Sequence, residues 1–344
     1  MQTMRAVLLT EPGRFELAEI PVPRPGAGEA VVAVDACGVC GSDVHLVDGS
    51  TVAAEYPVVL GHEAAGTVAA LGPDTTGIEV GTRVAVLPYV GCGRCGRCWT
   101  RQPQACAERK VLGVDMPGAQ ADRLVVPTGC LVPLPDTVPA EIGAILTDAV
   151  ATPFHAIRRS HVVPGETAVV FGLGGLGMHA VQILAGVLGC EVIAVDPRAQ
   201  ARERAAALGA KLTLDAGRQV ARTVVAETRG GADVAFEFVG HPEIVGTALR
   251  CLRPQGTCVV VGISPDRLAL GMRQETLVSR ELRLVGSFGC TAAELAELVD
   301  LVATGRLDLT GSVSDVYAPG QFAAALAETR DKRAGSVRVV VSYR

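Results

Sequence analysis

Residues 167–177 read TAVVFGLGGLG, an apolar, β-branched run followed by a turn of the form G-x-G-x-x-G. In such a turn the first glycine allows the tight bend, the second lets the backbone approach a pyrophosphate, and the third lets helix and strand pack closely. An amphipathic helical pattern follows the turn, as this motif requires. A glycine-rich turn in another kind of α/β protein is the alternative. We expect a dinucleotide to contact Gly172, Gly174, Gly175, Leu176 and Gly177.

The next apolar strand, EVIAVD, predicts which dinucleotide is bound, because it ends at Asp196. A carboxylate at this place accepts hydrogen bonds from the adenosine ribose and repels a 2′-phosphate, which favours NAD over NADP. Arg198 follows two residues later and is long enough to reach a 2′-phosphate. The surface-helix pattern after Pro197 favours a solvated arginine instead, so the sequence predicts NAD, with NADP as the alternative.

The rest of the chain surrounds this turn with two kinds of pattern. From residue 162, six apolar strands alternate with helical segments, which predicts a doubly wound parallel sheet. Before about residue 150, short β-branched runs are cut by Gly and Pro, a pattern typical of a compact, largely antiparallel domain. After residue 290 come one capped helix and the lone strand SVRVVVSY, which needs a partner sheet. The predicted fold is α/β, with a β-rich domain over 1–155, a dinucleotide-binding domain over 156–290, and a return of 291–344 to the first domain.

Composition excludes several classes of partner. The net charge is −5 and there is no long basic run, so we expect no nucleic-acid partner. No apolar stretch approaches the 18 or more residues of a membrane helix, and the N-terminal residues do not resemble a signal peptide. We therefore expect no membrane partner and a cytoplasmic location. In that compartment the eleven cysteines should be thiols or metal ligands.

Four of the cysteines, in the stretch GCGRCGRCWTRQPQAC, follow a metal-ligand spacing. Tetrahedral zinc takes four thiolates, and ligands two residues apart wrap one ion without straining the backbone. Two disulfides, or four unrelated core cysteines, are the alternatives. Four protein ligands leave no position for water, so the predicted site is structural, and we expect Trp99 to pack inside this lobe. The ligands are Cys92, Cys95, Cys98 and Cys106.

Cys40, in GVCGSDVH, and His62, in GHE, suggest a second metal site. A thiolate and an imidazole both suit zinc, and a catalytic zinc needs a third protein ligand and an open position. Taken singly, the simpler interpretations are a buried cysteine and a hydrogen-bonded histidine. The dinucleotide-binding pattern elsewhere in the chain favours the metal site.

The motifs GVCGSDVH, GHEAAGTV, the cysteine lobe and VVFGLGGLG occur in the order found in zinc-dependent medium-chain alcohol dehydrogenases, which the chain resembles over essentially its whole length. The resemblance implies a GroES-like catalytic domain that carries both zinc ions, a Rossmann domain, and assembly as a homodimer or homotetramer. It makes Cys40 and His62 catalytic zinc ligands and Glu63 a neighbour that can exchange onto the metal. The third ligand falls on Asp148, for which a helix N-cap is the alternative.

The resemblance also implies a proton relay and further cofactor contacts. Ser42 takes the proton from the substrate oxygen and passes it through the nicotinamide ribose toward His45, for which an exposed turn histidine is the alternative. The other implied cofactor contacts are Thr152 near the nicotinamide, the backbone around Val261, Gly262 and Phe288, and Arg338 near the pyrophosphate.

The predicted function is that of a dehydrogenase with two zinc ions per chain that transfers a hydride between a secondary alcohol, or a polyol-like substrate, and NAD. A second interpretation is an NADPH-dependent zinc reductase of carbonyl compounds in a biosynthetic pathway. A third, from another class, is a catalytically silent nucleotide-binding regulator. Silent relatives tend to lose zinc ligands, whereas here every ligand position is filled.

Overall fold

The computed structural model describes residues 2–268, 270–331 and 336–344. They divide into two compact units, Met1–Ala151 with Gly289–Arg344, and Thr152–Phe288. In chain order the strands are β1 (Thr3–Glu11), β2 (Arg14–Pro21), β3 (Glu29–Val39), β4 (Val58–Val59), β5 (Glu63–Leu71), β6 (Arg83–Val86), β7 (Tyr89–Val90), β8 (Lys110–Val111), β9 (Arg123–Pro127), β10 (Leu131–Pro133), β11 (Thr167–Phe171), β12 (Glu191–Val195), β13 (Leu212–Leu214), β14 (Ala232–Glu237), β15 (Leu252–Val260), β16 (Arg283–Gly286), β17 (Val313–Tyr317) and β18 (Arg338–Ser342).

The helices alternate with these strands, most regularly in the second unit. They are α1 (Gly41–Val47), α2 (Gly96–Trp99), α3 (Ala140–Ile145), α4 (Ala151–Ser160), α5 (Gly175–Gln182), α6 (Ala199–Ala207), α7 (Val220–Glu227), α8 (Pro242–Cys251), α9 (Gln274–Ser279), α10 (Ala292–Ala303) and α11 (Phe322–Asp331). Two π-helical turns, Leu146–Val150 and Ile183–Val187, extend α3 and α5. No helix among the described residues is long and apolar enough to cross a membrane.

The first unit is built on a seven-stranded sheet in the order β10-β6-β5-β3-β18-β17, with β9 also paired to β3. Its pairs are antiparallel except β17 with β18, which are parallel. Buried valines and alanines along β3 face the core, which suits β-branched residues on a pleated surface. A Cβ at Gly66 of β5 would lie 2.0 Å from the backbone oxygen of Ala33, so only glycine allows β5 this close to β3.

The second unit is a six-stranded parallel sheet in the order β13-β12-β11-β14-β15-β16. Its apolar core joins Val169 and Ile193 of neighbouring strands to Val224 and Leu249 of α7 and α8. The strand order reverses between β11 and β14, and open α/β sheets bind ligands outside the carboxyl ends of the strands at such a switch point. The predicted α/β fold class is confirmed.

Candidate metal centre and dinucleotide turn

Four residues of the first unit bring ligand atoms to one buried point. They are Cys40 just before α1, His62 and Glu63 where β5 begins, and Asp148 in the π-helical turn after α3. One thiolate, imidazole or carboxylate atom from each lies within 4.8 Å of the others. Oδ2 of Asp148 is 3.7 Å from Sγ of Cys40 and 3.7 Å from Nε2 of His62. The structure therefore brings together the residues that the sequence and the family resemblance predicted for the catalytic zinc.

The sheet register explains how distant segments meet there. Gly38 of β3 pairs with Glu63 of β5 on one side and with Val340 of β18 on the other. A Cβ at Gly38 would lie 2.1 Å from Oε2 of Glu63, so glycine leaves the room that the Glu63 side chain occupies. Asp148 lies inside continuous helical backbone, which is not an N-cap position. A π-helical turn inserts one extra residue into a helix and recurs at functional sites, in keeping with a ligand role for Asp148.

These residues fit a zinc ion by their chemistry and by their unsatisfied atoms. Thiolate, imidazole and carboxylate are the ligand types of catalytic zinc sites. Among the described residues, neither carboxylate oxygen of Glu63 finds a well-aligned hydrogen bond, although the side chain is fully buried. Its close partner is the Arg338 guanidinium, whose Nη2 atom is 2.8 Å from Oε1. Buried carboxylate oxygens without aligned hydrogen bonds are costly, and a zinc ion held by the neighbouring ligand atoms would add to the stabilisation that Arg338 gives.

Within the cluster, the electrostatics favour the metal-binding form of the Cys40 thiol, whereas hydrogen bonds with Asp148 and Cys40 outweigh burial and raise the pKa of His62 well above its usual value. Burial acts to raise the pKa of the Cys40 thiol, but the Arg338 cation and a hydrogen bond with His62 outweigh it, so the pKa falls to about 7. Burial raises the pKa of Glu63 well above its usual value, against the opposing pull of Arg338. The thiolate is the form that binds metal, so a lowered Cys40 pKa makes the ligand available.

Asp43 braces two of the ligands, and the sequence analysis missed it. It is fully buried; Oδ2 accepts the backbone N–H of Cys40 at 2.8 Å, and Oδ1 is 3.9 Å from Nδ1 of His62. Burial raises its pKa, although the nearby His62 acts to lower it. One feature of the sequence could have predicted the contact between Asp43 and Cys40, because an acidic residue three positions after an N-cap has the spacing of a capping box.

Replacing Asp43 by Asn should lower the zinc affinity of the cluster about 10- to 100-fold, the usual effect of losing an outer partner of a metal ligand. The amide keeps the size of the side chain but cannot offer two acceptor oxygens. Zinc retention against a graded chelator is the measurement. Asp48→Asn is the matched control, because Asp48 is exposed at the end of the same helix. Equal retention in the two variants would remove the bracing role from Asp43.

The predicted relay residues lie on one face of α1. Oγ of Ser42 is 3.3 Å from Nε2 of His62, so the structure brings this hydroxyl to the ligand cluster. His45 is three residues later and exposed, and residues three apart in a helix are neighbours on its surface. The relay from Ser42 to His45 stays a prediction.

The four cysteines of the lobe gather their sulfur atoms as one zinc ion requires. Sγ of Cys95 is 3.6 Å from that of Cys98 and 3.8 Å from that of Cys106, and the Cys92 and Cys98 sulfurs are 4.0 Å apart. A tetrahedron with Zn–S distances of about 2.3 Å has edges of about 3.8 Å. All eleven cysteines are free thiols, which contradicts the disulfide alternative. The expectation for Trp99 is wrong, because this side chain is 75% exposed.

The glycines of the turn after β11 occupy the positions that a pyrophosphate site needs. Gly172 has a φ of 86°, in the left-handed region. A Cβ at Gly177 would lie 1.8 Å from the Gly172 oxygen, whereas one at Gly174 would meet no described atom within 4 Å. The first and third glycines are therefore fixed by packing, and the second leaves open space at the start of α5, where Leu176 lies in the first turn. These residues fit a dinucleotide.

Asp196, at the end of β12, is tied to this turn. Its Oδ2 atom accepts the backbone N–H of Leu173 at 2.8 Å. Its carboxylate also forms an ion pair with Arg198, in which Nε is 2.9 Å from Oδ1. The expectation of a merely solvated Arg198 is wrong, since the side chain is 38% exposed and paired.

Four of the other implied cofactor contacts lie in the second unit. Thr152 is buried at the start of the second unit, and Phe288 is partly exposed at its end. The backbone N–H groups of Val261 and Gly262 both donate to the Glu237 carbonyl, at 2.9 and 3.0 Å. These cofactor contacts stay predictions.

Arg338 lies in the first unit, beside the candidate metal ligands. Its Nη2 atom is 2.8 Å from Oε1 of Glu63 and 3.9 Å from Oδ2 of Asp148, and the residue is 5% exposed. The structure thus places this guanidinium against the metal cluster, and its contact with a pyrophosphate stays a prediction.

The fold and the site together are those of an oxidoreductase that uses zinc and a dinucleotide. Comparison with known proteins identifies the family. The model of the alcohol dehydrogenase GroES-like domain matches residues 26–136, and that of the zinc-binding dehydrogenase matches residues 175–304. A probable zinc-binding alcohol dehydrogenase of Mycobacterium tuberculosis is 36% identical over 315 residues, 90% of this chain and 80% of the relative. L-threonine 3-dehydrogenase of Pyrococcus horikoshii is 30% identical over 326 residues, 92% of each chain. The chain belongs to the zinc-binding alcohol dehydrogenase family.

Solved structures give the same family. An alcohol dehydrogenase of Escherichia coli CFT073, RspB, complexed with NADH, superposes with a TM-score of 0.93 at 26% identity, covering 100% of both chains. A putative zinc-binding dehydrogenase of Sinorhizobium meliloti 1021, bound to NADP, gives 0.90 at 30% identity, covering 99% of this chain and 100% of the other. The predicted family, oxidoreductase class and cofactor classes, zinc and a nicotinamide dinucleotide, are confirmed.

Proposed function

We propose that the protein interconverts a secondary alcohol, or a polyol-like substrate, and the corresponding ketone, with NAD as the hydride carrier. The observation that carries this proposal is the buried convergence of Cys40, His62, Glu63 and Asp148 within 4.8 Å. Three of these residues suffice to hold a catalytic zinc and leave a position for the substrate. The family resemblance is the basis for adding a homodimer or homotetramer in the cytoplasm to the proposal.

The chain's own groups have distinct tasks in this reaction. A bound zinc would act as a Lewis acid that lowers the pKa of the alcohol, and a bound nicotinamide would take the hydride. Cys40, His62 and Asp148 would hold the metal, and all three are buried. Ser42 accepts the proton of the substrate hydroxyl while its own proton passes through the nicotinamide ribose toward the exposed His45, which exchanges it with solvent. Burial of the cluster strengthens each electrostatic contact within it.

Two observations support a secondary alcohol as the substrate class. An oxygen ligand at Asp148, in place of a thiolate, leaves a zinc more electrophilic, which suits polarisation of a ketone. The relative from Pyrococcus horikoshii is a 3-dehydrogenase of L-threonine, whose C3 carries a secondary hydroxyl. Carried to this chain, these points favour oxidation at a carbon with two carbon neighbours.

The test is metal analysis of the purified holoenzyme together with a panel of primary alcohols, secondary alcohols and polyols, followed at the reduced-nicotinamide absorbance. We expect about two zinc ions per chain and NAD-linked turnover that is fastest with secondary alcohols. Turnover confined to carbonyl reduction with NADPH would establish the biosynthetic reductase instead. One zinc per chain and no turnover with any substrate would favour the silent regulator.

Replacing Asp148 by Ala should remove the catalytic zinc and slow turnover by about three orders of magnitude or more, because two protein ligands do not hold the metal in place. Zinc should fall from two ions per chain to one. Asp148→Glu is the matched control, since it keeps a carboxylate and should retain both ions. If Asp148→Ala kept both zinc ions and wild-type activity, the third ligand would be Glu63 or water.

A further inference from the structure

The Asp196 carboxylate, the predicted acceptor for the cofactor ribose, is already fully occupied by protein donors. Oδ2 accepts the Leu173 N–H at 2.8 Å and Nη2 of Arg198 at 3.0 Å. Oδ1 accepts the backbone N–H and Nε of Arg198, both at 2.9 Å. An ionised carboxylate offers about four lone-pair sites, so these four donors leave none for a ribose hydroxyl.

One of these donors can leave more easily than the others. The two backbone N–H groups are fixed by the turn after β11 and by the start of α6. The Arg198 side chain is 38% exposed, and its other hydrogen bond joins Nη2 to the Leu173 oxygen at 3.2 Å. The Asp196 side chain beneath it is only 4% exposed. Arg198 therefore covers the ribose acceptor, and a ribose reaches Asp196 only when this guanidinium moves.

The same guanidinium changes the charge that a 2′-phosphate would meet. An unpaired Asp196 would repel that phosphate, but Arg198 neutralises the carboxylate at hydrogen-bond distance. Arg202, one turn further along α6, donates to the Asp196 and Pro197 carbonyl oxygens at 2.8 and 2.9 Å. Its own charge is balanced in part by the Asp215 carboxylate at 3.4 Å, so the charge that offsets Asp196 comes from Arg198. Guanidinium groups bind phosphate through paired, charge-assisted hydrogen bonds, so a displaced Arg198 has a partner in a 2′-phosphate.

We propose that Arg198 is a specificity-determining residue that makes this chain accept both NAD and NADP. It competes with the ribose of NAD for Asp196, and it offsets the repulsion that would otherwise exclude the 2′-phosphate of NADP. The inference rests on the proposed function as a dinucleotide-dependent dehydrogenase. Without Arg198 beside it, the Asp196 carboxylate would favour NAD and exclude NADP.

The test is direct binding rather than turnover. The dissociation constants of NADH and NADPH are measured by the fluorescence of the reduced nicotinamide on zinc-loaded protein, for wild type, Arg198→Ala and Arg198→Gln. We expect the two wild-type constants to lie within about tenfold of each other. Arg198→Ala should bind NADH about 2- to 10-fold more tightly, because Asp196 regains free acceptor sites, and NADPH about 10- to 100-fold more weakly, because a charge-assisted contact is lost.

Two further variants distinguish the Asp196–Arg198 pair from a general effect of charge. Lys211 is a cation of the same unit that pairs with Glu191, at the other end of β12. Lys211→Ala should change neither dissociation constant by more than about threefold. Asp196→Asn removes the carboxylate charge while keeping its shape, and should weaken NADH binding and tighten NADPH binding, because the ribose loses its acceptor and Arg198 loses its anionic partner. Thermal unfolding of each variant checks that it is folded, and Arg198→Gln supports the same comparison if the alanine variant unfolds.

The outcomes distinguish the inference from the function beneath it. A wild type that prefers NADH by more than 100-fold, with the same preference in Arg198→Ala, would overturn the role of Arg198 and leave the dehydrogenase standing. Equal weakening of both dinucleotides in Arg198→Ala would make the residue a structural brace, which also overturns the inference. If folded, zinc-loaded wild type bound neither dinucleotide, the proposed function itself would be wrong.

Discussion

The Cys40→Ser protein is expected to fold, to bind NADH about as tightly as wild type, and to turn over alcohol at least about 1,000-fold more slowly. The Cys40 thiol has a pKa of about 7 in the buried cluster. Burial alone would raise this pKa, but the Arg338 cation and His62 lower it by more. A serine hydroxyl does not ionise near neutral pH, so the cluster loses its soft anionic ligand. Zinc should fall from two ions per chain to one. Cofactor binding should persist, because the turn and Asp196 lie in the second unit.

Cys37→Ala is the matched control for this variant. Cys37 is a buried thiol three residues earlier, on β3, whose Sγ contacts the Gly38 carbonyl oxygen at 3.6 Å. Burial raises its pKa well above the usual value, as expected for a thiol that packs rather than binds metal. Its replacement should cost about 1 kcal/mol of stability and leave both zinc ions in place. If Cys40→Ser kept both zinc ions and wild-type turnover, the zinc mechanism proposed for this chain would fall with it.

The parts of the molecule that the sequence predicted share a local signature. The glycine turn and the cysteine lobe each lie within a short stretch, and their chemistry dictates spacing as well as residue type. The six parallel strands could also be predicted from local sequence, because strands buried on both faces appear as continuous apolar runs between helical patterns. Cys40 and His62 lack such a signature, and their assignment depended on the rest of the chain.

What the sequence could not predict depends on the tertiary register. Arg338 meets Glu63 because β18 lies beside β3, which also pairs with β5, and no local pattern joins segments so far apart in the chain. The same limit applies to Asp43 and His62, whose contact joins helix α1 to the residue just before β5. The surface-helix pattern around Arg198 predicts a solvated side chain, whereas in the structure this side chain pairs with the carboxylate two residues earlier. Such contacts are set by side-chain geometry rather than by spacing.

Trp99 shows where a general packing rule fails. Aromatic side chains are normally buried, so a lone tryptophan in a small lobe predicts a local core. The helix that carries it, α2, has no buried residue, and the Trp99 ring faces solvent. Because α2 buries no side chain, apolar packing there contributes little to the stability of the lobe. The four sulfur atoms, which lie at the spacing of a tetrahedral zinc site, indicate that a bound metal would stabilise it instead.

Replacing Cys95 by Ser should therefore cost stability before it costs chemistry. Structural zinc sites contribute about 10–16 kcal/mol of binding free energy in small peptides, and whole domains are stable by only about 5–15 kcal/mol. A loss of even a few kcal/mol should lower the thermal midpoint by about 10 °C, and zinc should fall by one ion per chain. The catalytic cluster should keep its own zinc, because its ligands lie outside the lobe.

Trp99→Ser is the matched control, since it alters the largest side chain of the same lobe without touching a sulfur atom. At 75% exposure the ring buries little area, so the thermal midpoint should move by no more than about 2 °C. Differential scanning calorimetry with metal analysis on the same samples makes the comparison. A Cys95→Ser protein with the midpoint and zinc content of wild type would show that the lobe is held by something other than a metal. A midpoint that fell equally in both variants would assign the lobe's stability to packing around Trp99, against the exposure seen here.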